Sequence, residues 1–252
     1  MVLPLLRRSL AGWGRIGLDL LYPPRCVFCR TDLPLAAERL VCPACQRRLT
    51  ADRPRCPRCG TPGTADSCAT CRRSPPPCAG LVVLGPYADD LRDLVLRAKR
   101  PAGDLIARGL ASLLADSQRM TFRDWAVDLV VPVPMHWRRR LMRGTSSADE
   151  LARGLAASLG LPCRRLLRRR RATRMQNELP VRERRGNVAG AFGPTFAAQA
   201  GRLRGRRVLL VDDVATTGST LAACRDAAVS AGAAAVYAAV VARADRSDDA
   251  LD

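Results

Sequence analysis

A chain of 252 residues that is 48% hydrophobic can build a real core, enough for one medium domain plus a small appendage. Aromatic residues make up only 4%, so that core must be Ala, Leu and Val, which suits helices packed on a parallel sheet. The formal net charge is +19, a field that attracts polyanions, and no apolar run approaches the ~18 residues that a membrane span requires.

Nearly all of the positive charge is Arg, and Lys99 is the only lysine. Codon drift in a GC-rich genome accounts for Arg over Lys but not for 42 basic against 23 acidic residues. Met1 to Leu21 makes a poor signal peptide, because Pro4, Arg7, Arg8, Gly12, Gly14 and Arg15 break its apolar run and no small-residue cleavage site follows. The expected location is therefore the cytoplasm, with thiols kept reduced.

In chain order, residues 3–21 read as an amphipathic helix, with Leu6, Leu10, Trp13, Ile16, Leu20 and Leu21 near helical spacing. Its arginines also suit a membrane surface, which would place the protein peripherally at the inner face. Packing against the body is the favoured alternative, because the helix runs straight into a cysteine-rich segment. Pro23-Pro24 ends it, so residues 1–22 form one unit. Residues 23–78 are rich in Cys, Pro, Arg and Gly and cannot fold on apolar burial alone; Pro75-Pro76-Pro77 closes them as a stiff linker. From residue 80 the pattern becomes regular. Leu81–Leu84 reads as a strand, Tyr87–Leu96 and Leu105–Leu114 as helices, and Val127–Val133 as a strand buried on both faces. Ser147–Leu159 reads as a helix and 164–190 as a basic, irregular stretch. Val208–Val211 is a second buried strand, Thr220–Ala231 an Ala-rich helix and Ala235–Ala242 a third strand. Alternating strands and helices predict a parallel α/β sheet preceded by a small metal module.

Nine of the eleven cysteines lie between Cys26 and Cys78. Eight of them form four Cys-x-x-Cys pairs: Cys26 and Cys29, Cys42 and Cys45, Cys56 and Cys59, Cys68 and Cys71. Each pair sets two sulfurs on one side of a tight knuckle, and two knuckles complete a tetrahedral thiolate site suited to zinc. Gly60, directly after Cys59, relaxes the turn. Two structural Zn²⁺ ions, each held by four cysteines, are expected. Sequential pairing closes the shorter loops; an interleaved cross-brace is the alternative. Cys78, Cys163 and Cys224 are spare, and a thioredoxin-like role is disfavoured because these motifs do not sit in a βαβ unit.

The sharpest motif begins at Val208-Leu209-Leu210-Val211 and runs through Asp212-Asp213-Val214-Ala215-Thr216-Thr217-Gly218-Ser219-Thr220. A hydrophobic strand ends in two acids, and a glycine- and hydroxyl-bearing loop opens a helix. Unpaired amides at a helix start and the helix dipole both favour an anion. Asp212 and Asp213 can accept from sugar hydroxyls, and Ala215 to Thr220 can wrap a phosphate. The stretch is not a Walker motif, because it lacks the G-x-x-x-x-G-K pattern.

This segment resembles the phosphoribosyl pyrophosphate (PRPP) motif of type I phosphoribosyltransferases. The resemblance implies that the acids hold the ribose 2- and 3-hydroxyls, that the loop holds the 5-phosphate, and that Mg²⁺ accompanies PRPP. Over nearly its whole length the chain is similar to the ComF family, which includes the GntX proteins and joins a double zinc ribbon to a transferase domain, here residues 80–246. The matching pieces include Leu91-Arg92-Asp93-Leu94 through Lys99 and Val130-Val131-Pro132-Val133-Pro134-Met135-His136 with Arg143-Gly144. They continue with Arg174-Met175-Gln176-Asn177-Glu178-Leu179. The resemblance assigns Arg143 and Lys99 to pyrophosphate, and Arg174 and Gln176 to a hood over the substrate. One departure stands out: the family usually reads Arg-Gly-Phe-Asn-Gln after the Pro-Val-Pro loop, and this chain reads Arg143-Gly144-Thr145-Ser146-Ser147.

Two functions remain open at the level of sequence. The first is a phosphoribosyltransferase, although no base to activate an acceptor and no nucleobase pocket stand out. The second is a non-catalytic adaptor that retains the phosphate cradle. The family implies a role in natural transformation, with single-stranded DNA and a DNA-uptake helicase as partners. Seven arginines between Arg164 and Arg174 suit nucleic acid, but the stretch lacks an aromatic stacking platform.

Overall fold

The computed structural model describes residues 23–34, 40–50, 54–135, 146–170 and 190–244. The chain divides into two compact units, Met1–Arg48 and Leu49–Asp252.

In the first unit, Cys26–Cys29 forms a knuckle closed by an Arg25–Asp32 antiparallel bridge, and α1 (Pro43–Leu49) begins directly after Cys42 and carries Cys45. The second unit opens with a copy of that knuckle, closed by an Arg55–Pro62 bridge, and with the short helix α2 (Ala69–Arg73). The two knuckles share their hydrogen bonds: Cys26 N to Thr31 O and Cys56 N to Thr61 O, then Arg30 N to Cys26 O and Gly60 N to Cys56 O. Both need a left-handed residue after the second cysteine. Gly60 takes it at φ 75°, whereas Arg30 takes it at φ 68°, at a cost of about 1 kcal/mol for a residue with a Cβ.

The rest of the second unit runs β1 (Leu81–Pro86), α3 (Asp89–Ala98), α4 (Asp104–Ser117), α5 (Arg119–Asp124), β2 (Leu129–Pro132) and α6 (Ser147–Leu159). It continues with β3 (Leu167–Arg169), β4 (Phe192–Pro194), β5 (Arg207–Ala215), α7 (Ser219–Ser230) and β6 (Ala235–Arg243). Strands β1, β6, β5 and β2, in that order, form one all-parallel sheet. The core strands are continuous runs of Val, Leu and Ala because both faces are covered. Helices α4 and α6 pack together, with α6 against β2 and β5. Leu81, Val83, Val131, Val208, Leu210 and Val240 share a core with α7 residues Leu221, Cys224 and Ala228 and with Leu167 and Phe192 of the antiparallel β3–β4 pair.

That pair is absent from the sequence reading, in which 164–190 is irregular. Three residues per strand with two arginines in β3 carry no alternation to read; Arg169 lies over the Phe192 ring, 5.4 Å from its centroid. The helix expected over 3–21 and the stretch 171–189 lie outside the described residues. Among the described residues no helix is long and apolar enough to cross a membrane.

Candidate functional site

β5 runs between β2 and β6, and its carboxyl end carries the two acids. Side chains alternate along a strand, so Asp212 and Asp213 leave opposite faces of the sheet. Asp213 is caught by elements of the α4–α6 side. Its Oδ2 lies 3.1 Å from Lys99 Nζ, at the end of α3, and accepts from Ser147 Oγ, at the start of α6, at 2.6 Å. Asp212 accepts from the Asp213 amide at 2.9 Å. Burial and the Asp213 carboxylate push the Asp212 carboxyl up to about 8, against weaker opposing pulls from the Asp213 amide, Lys99 and Arg169. Burial therefore favours the neutral form of Asp212.

Past the acids the strand ends at Ala215 and the chain turns through Gly218, φ 77°, into α7. Glycine is required there, since the left-handed turn comes with a close neighbour: an added Cβ would lie 3.2 Å from Pro77 Cβ and Cγ. Thr217 Oγ1 and Ser219 Oγ share a hydrogen bond at 2.5 Å, and the Ser219 amide points to Thr217 Oγ1 at 3.4 Å. The start of α7 and these hydroxyls make an anion cradle next to the acids. Arg243, in register with Ala215 and only 5% exposed, adds a buried cation at the same end of the sheet.

The β2 end lies beside the β5 end, with Val133 N bonded to Val211 O at 2.9 Å. Beyond β2, Pro132, Pro134, Met135 and Asp149 meet Arg165, Arg168 and Arg169 around a cavity of about 180 Å³. Arg165 Nε donates to Asp149 Oδ1 at 2.8 Å, and Asp149 lies in the same first turn of α6 as Ser147. This basic cavity therefore shares a helix end with the acid pair.

Each set of four cysteines closes on itself. The sulfurs of Cys26, Cys29, Cys42 and Cys45, and those of Cys56, Cys59, Cys68 and Cys71, all lie within 4.8 Å of one another in their set, which is the sequential pairing. Thr31 holds the Cys29 thiol down at about 6 while burial drives Cys45 far up; Thr61 and burial do the same to Cys68 and Cys71. Four sulfurs this close share negative charge only if a cation sits among them, so the donor sets fit zinc. Amides of Cys42 and Cys45 already point at Cys26 and Cys42 Sγ, each at 3.4 Å, as outer partners of thiolates. Bound zinc would supply folding free energy and no chemistry.

With that geometry in view, residues 17–79 match the double zinc ribbon domain and residues 106–252 match the phosphoribosyl transferase domain. Competence protein F of Haemophilus influenzae is 34% identical over 203 residues, covering 78% of this chain and 87% of that protein. The DNA utilization protein YhgH of Escherichia coli K12 is 35% identical over 222 residues, covering 85% of this chain and 94% of that protein. The chain belongs to the ComF family. An allosteric regulatory enzyme of purine biosynthesis shares 23% identity over 53% of this chain and 25% of its own, with a TM-score of 0.35.

As a ComF-family chain it combines zinc-ribbon-type cysteine sites with a phosphoribosyltransferase-type parallel sheet. Of the residues read from the sequence, Asp212, Asp213, Lys99 and Ala215 to Thr220 converge at one end of that sheet. Arg143, Arg174 and Gln176 lie outside the described residues. Ser147 is the residue the sequence reading missed. Read only as a lost amide in the departure from the ComF pattern, it instead holds Asp213. Its signal is positional, the first residue of a helix that starts behind the Pro-Val-Pro loop. Ser146 beside it is buried, and its Oγ has no hydrogen-bond partner among the described residues.

Proposed function

We propose that this ComF-family chain binds PRPP or a related 5-phosphorylated ribose, with Mg²⁺, and serves the uptake of DNA in natural transformation. One observation carries the ligand: two acids at a strand tip, one braced by Lys99 and Ser147, stand next to a helix start opened by Gly218. Ribose hydroxyls are matched by Asp212 and Asp213, and the 5-phosphate by the amides and hydroxyls of 215–220. Lys99, which pairs with Asp213 at 3.1 Å, would hold the pyrophosphate. Mg²⁺ would neutralise the leaving pyrophosphate. The names of the relatives, a competence protein and DNA utilization proteins, support the biological role.

Titration calorimetry with PRPP and Mg²⁺ tests the site. The expected result is saturable binding that falls about 100-fold in Asp212→Asn with Asp213→Asn, two hydrogen-bonding carboxyl groups at about 1.5 kcal/mol each. No heat with PRPP, ribose 5-phosphate or any nucleotide would overturn the reading. If binding occurs, pyrophosphate release in the presence of nucleobases separates a transferase from an adaptor. The adaptor reading, in which the chain binds single-stranded DNA without turnover, is favoured by the cavity that Arg165, Arg168 and Arg169 line beside the acids.

A further inference from the structure

We infer that Pro77 is a positioning residue for the phosphate loop, so that the metal state of the second cysteine ribbon controls how firmly that loop is held. The inference rests on the proposed sugar-phosphate site only for its functional consequence.

The second ribbon is built onto the sheet. Leu81 N, at the start of β1, donates to Pro57 O inside the Cys56–Cys59 knuckle at 2.9 Å. Gly60 lies so close that an added Cβ would stand 2.5 Å from Val83 Cγ2 and 3.2 Å from Leu81 Cδ2. The chain leaving this ribbon passes through Pro75-Pro76-Pro77 and is pinned again where Ala79 N meets Val236 O at 2.9 Å. Three consecutive prolines have fixed φ and little slack, so displacement at one end is passed to the other.

Midway, that stiff segment touches the cradle. The Pro77 ring packs on Gly218, and Arg225 Nη1 of α7 donates to Pro76 O at 3.3 Å. Beside this contact lies a cavity of about 250 Å³ bounded by the three prolines, Thr217, Gly218, Ser219 and α7. The back of the loop is therefore supported at a point rather than across a packed surface. Closed four-cysteine sites supply the folding free energy of ribbons too small for a core. Loss of metal from Cys56, Cys59, Cys68 and Cys71 releases the ribbon end of the proline segment, and with it the support under Gly218.

The experiment is amide hydrogen exchange on the full chain without ligand, paired with zinc analysis. Pro77→Ala keeps both metal sites but removes most of the ring and frees φ at residue 77. Exchange of the 216–220 amides is expected to rise about tenfold, with zinc content unchanged. Arg225→Ala is expected to shift the same amides in the same direction. Cys68→Ser, which removes one sulfur of the second site, is expected to reproduce the signature along with metal loss. If Cys68→Ser unfolds the chain, chelator removal of zinc from the native chain replaces it, and unchanged exchange at 216–220 on metal loss would overturn the metal control. Unchanged exchange at 216–220 in zinc-replete Pro77→Ala would overturn the inference. Where PRPP binds, its affinity in Pro77→Ala is expected to fall about tenfold. Because the exchange readout needs no ligand, a failure of PRPP binding strikes the proposed ligand and leaves the clamp standing.

Discussion

Asp212 and Asp213 are chemically identical neighbours that the fold treats differently. Asp213 faces a lysine and a serine hydroxyl, whereas Asp212 faces the α7 side, where Cys224 is fully buried and Lys99 and Arg169 act on it only weakly. Asp212 thus keeps its proton up to about pH 8 in the folded chain, against an ordinary value of 3.8. Between those two values the unfolded chain has lost a proton that the native chain retains. Stability therefore falls as pH rises through that window and levels off above it. Asp212→Asn removes the titration without changing shape. Urea unfolding from pH 4 to pH 9 should show the wild type losing stability relative to this variant as pH rises. Parallel profiles would show that Asp212 is not held protonated. The acids themselves were legible in the sequence because strand, acids and loop are contiguous. Ser147 was not, because it reaches Asp213 from 66 residues away and a serine at a helix start reads as an ordinary first-turn residue.

At the scale of elements, long apolar periods carried the reading. The helix expected over Ser147–Leu159 has those bounds, and Val208–Val211 is the first half of a strand that extends to Ala215. Short polar elements did not announce themselves: α5 buries only Phe122, and β3 lies inside an arginine run. The cysteine knuckles were legible because spacing alone determines them. What spacing could not show is that the second knuckle is seated on β1 through Pro57 and Gly60 and belongs to the same compact unit as the sheet. Metal analysis of reduced, purified protein should find two zinc ions per chain, falling to one in Cys29→Ser. Apparent binding free energies on the order of 10 kcal/mol for such sites mean that dilution alone should not strip them. Absence of zinc from the reduced protein would remove the metal reading of both clusters.

At the scale of the whole molecule, the charge of +19 has to be reconciled with a site for a small sugar phosphate. A single phosphate needs few cations, and the cradle supplies amides and hydroxyls for it. The excess charge is better matched to a polymer, and part of it is organised. Arg165, Arg168 and Arg169 stand around one cavity, and that cavity shares the first turn of α6 with the brace on Asp213. A strand whose phosphates occupy this cavity would pass the acid pair, so a sugar-phosphate ligand and a nucleic acid would meet at one end of the sheet. Counterion release makes the proposal quantitative: each phosphate neutralised on a single strand contributes about −0.7 to the slope of log affinity against log salt. Single-stranded oligonucleotide binding measured between low and physiological salt should therefore weaken steeply. Arg168→Ala, at an exposed position that lines the cavity, should flatten the slope by about 0.7 and weaken binding similarly for all sequences. An Arg168→Ala slope equal to the wild type would move the strand elsewhere on the surface. Binding indifferent to salt would remove the DNA reading and leave the charge without a polymer to explain it.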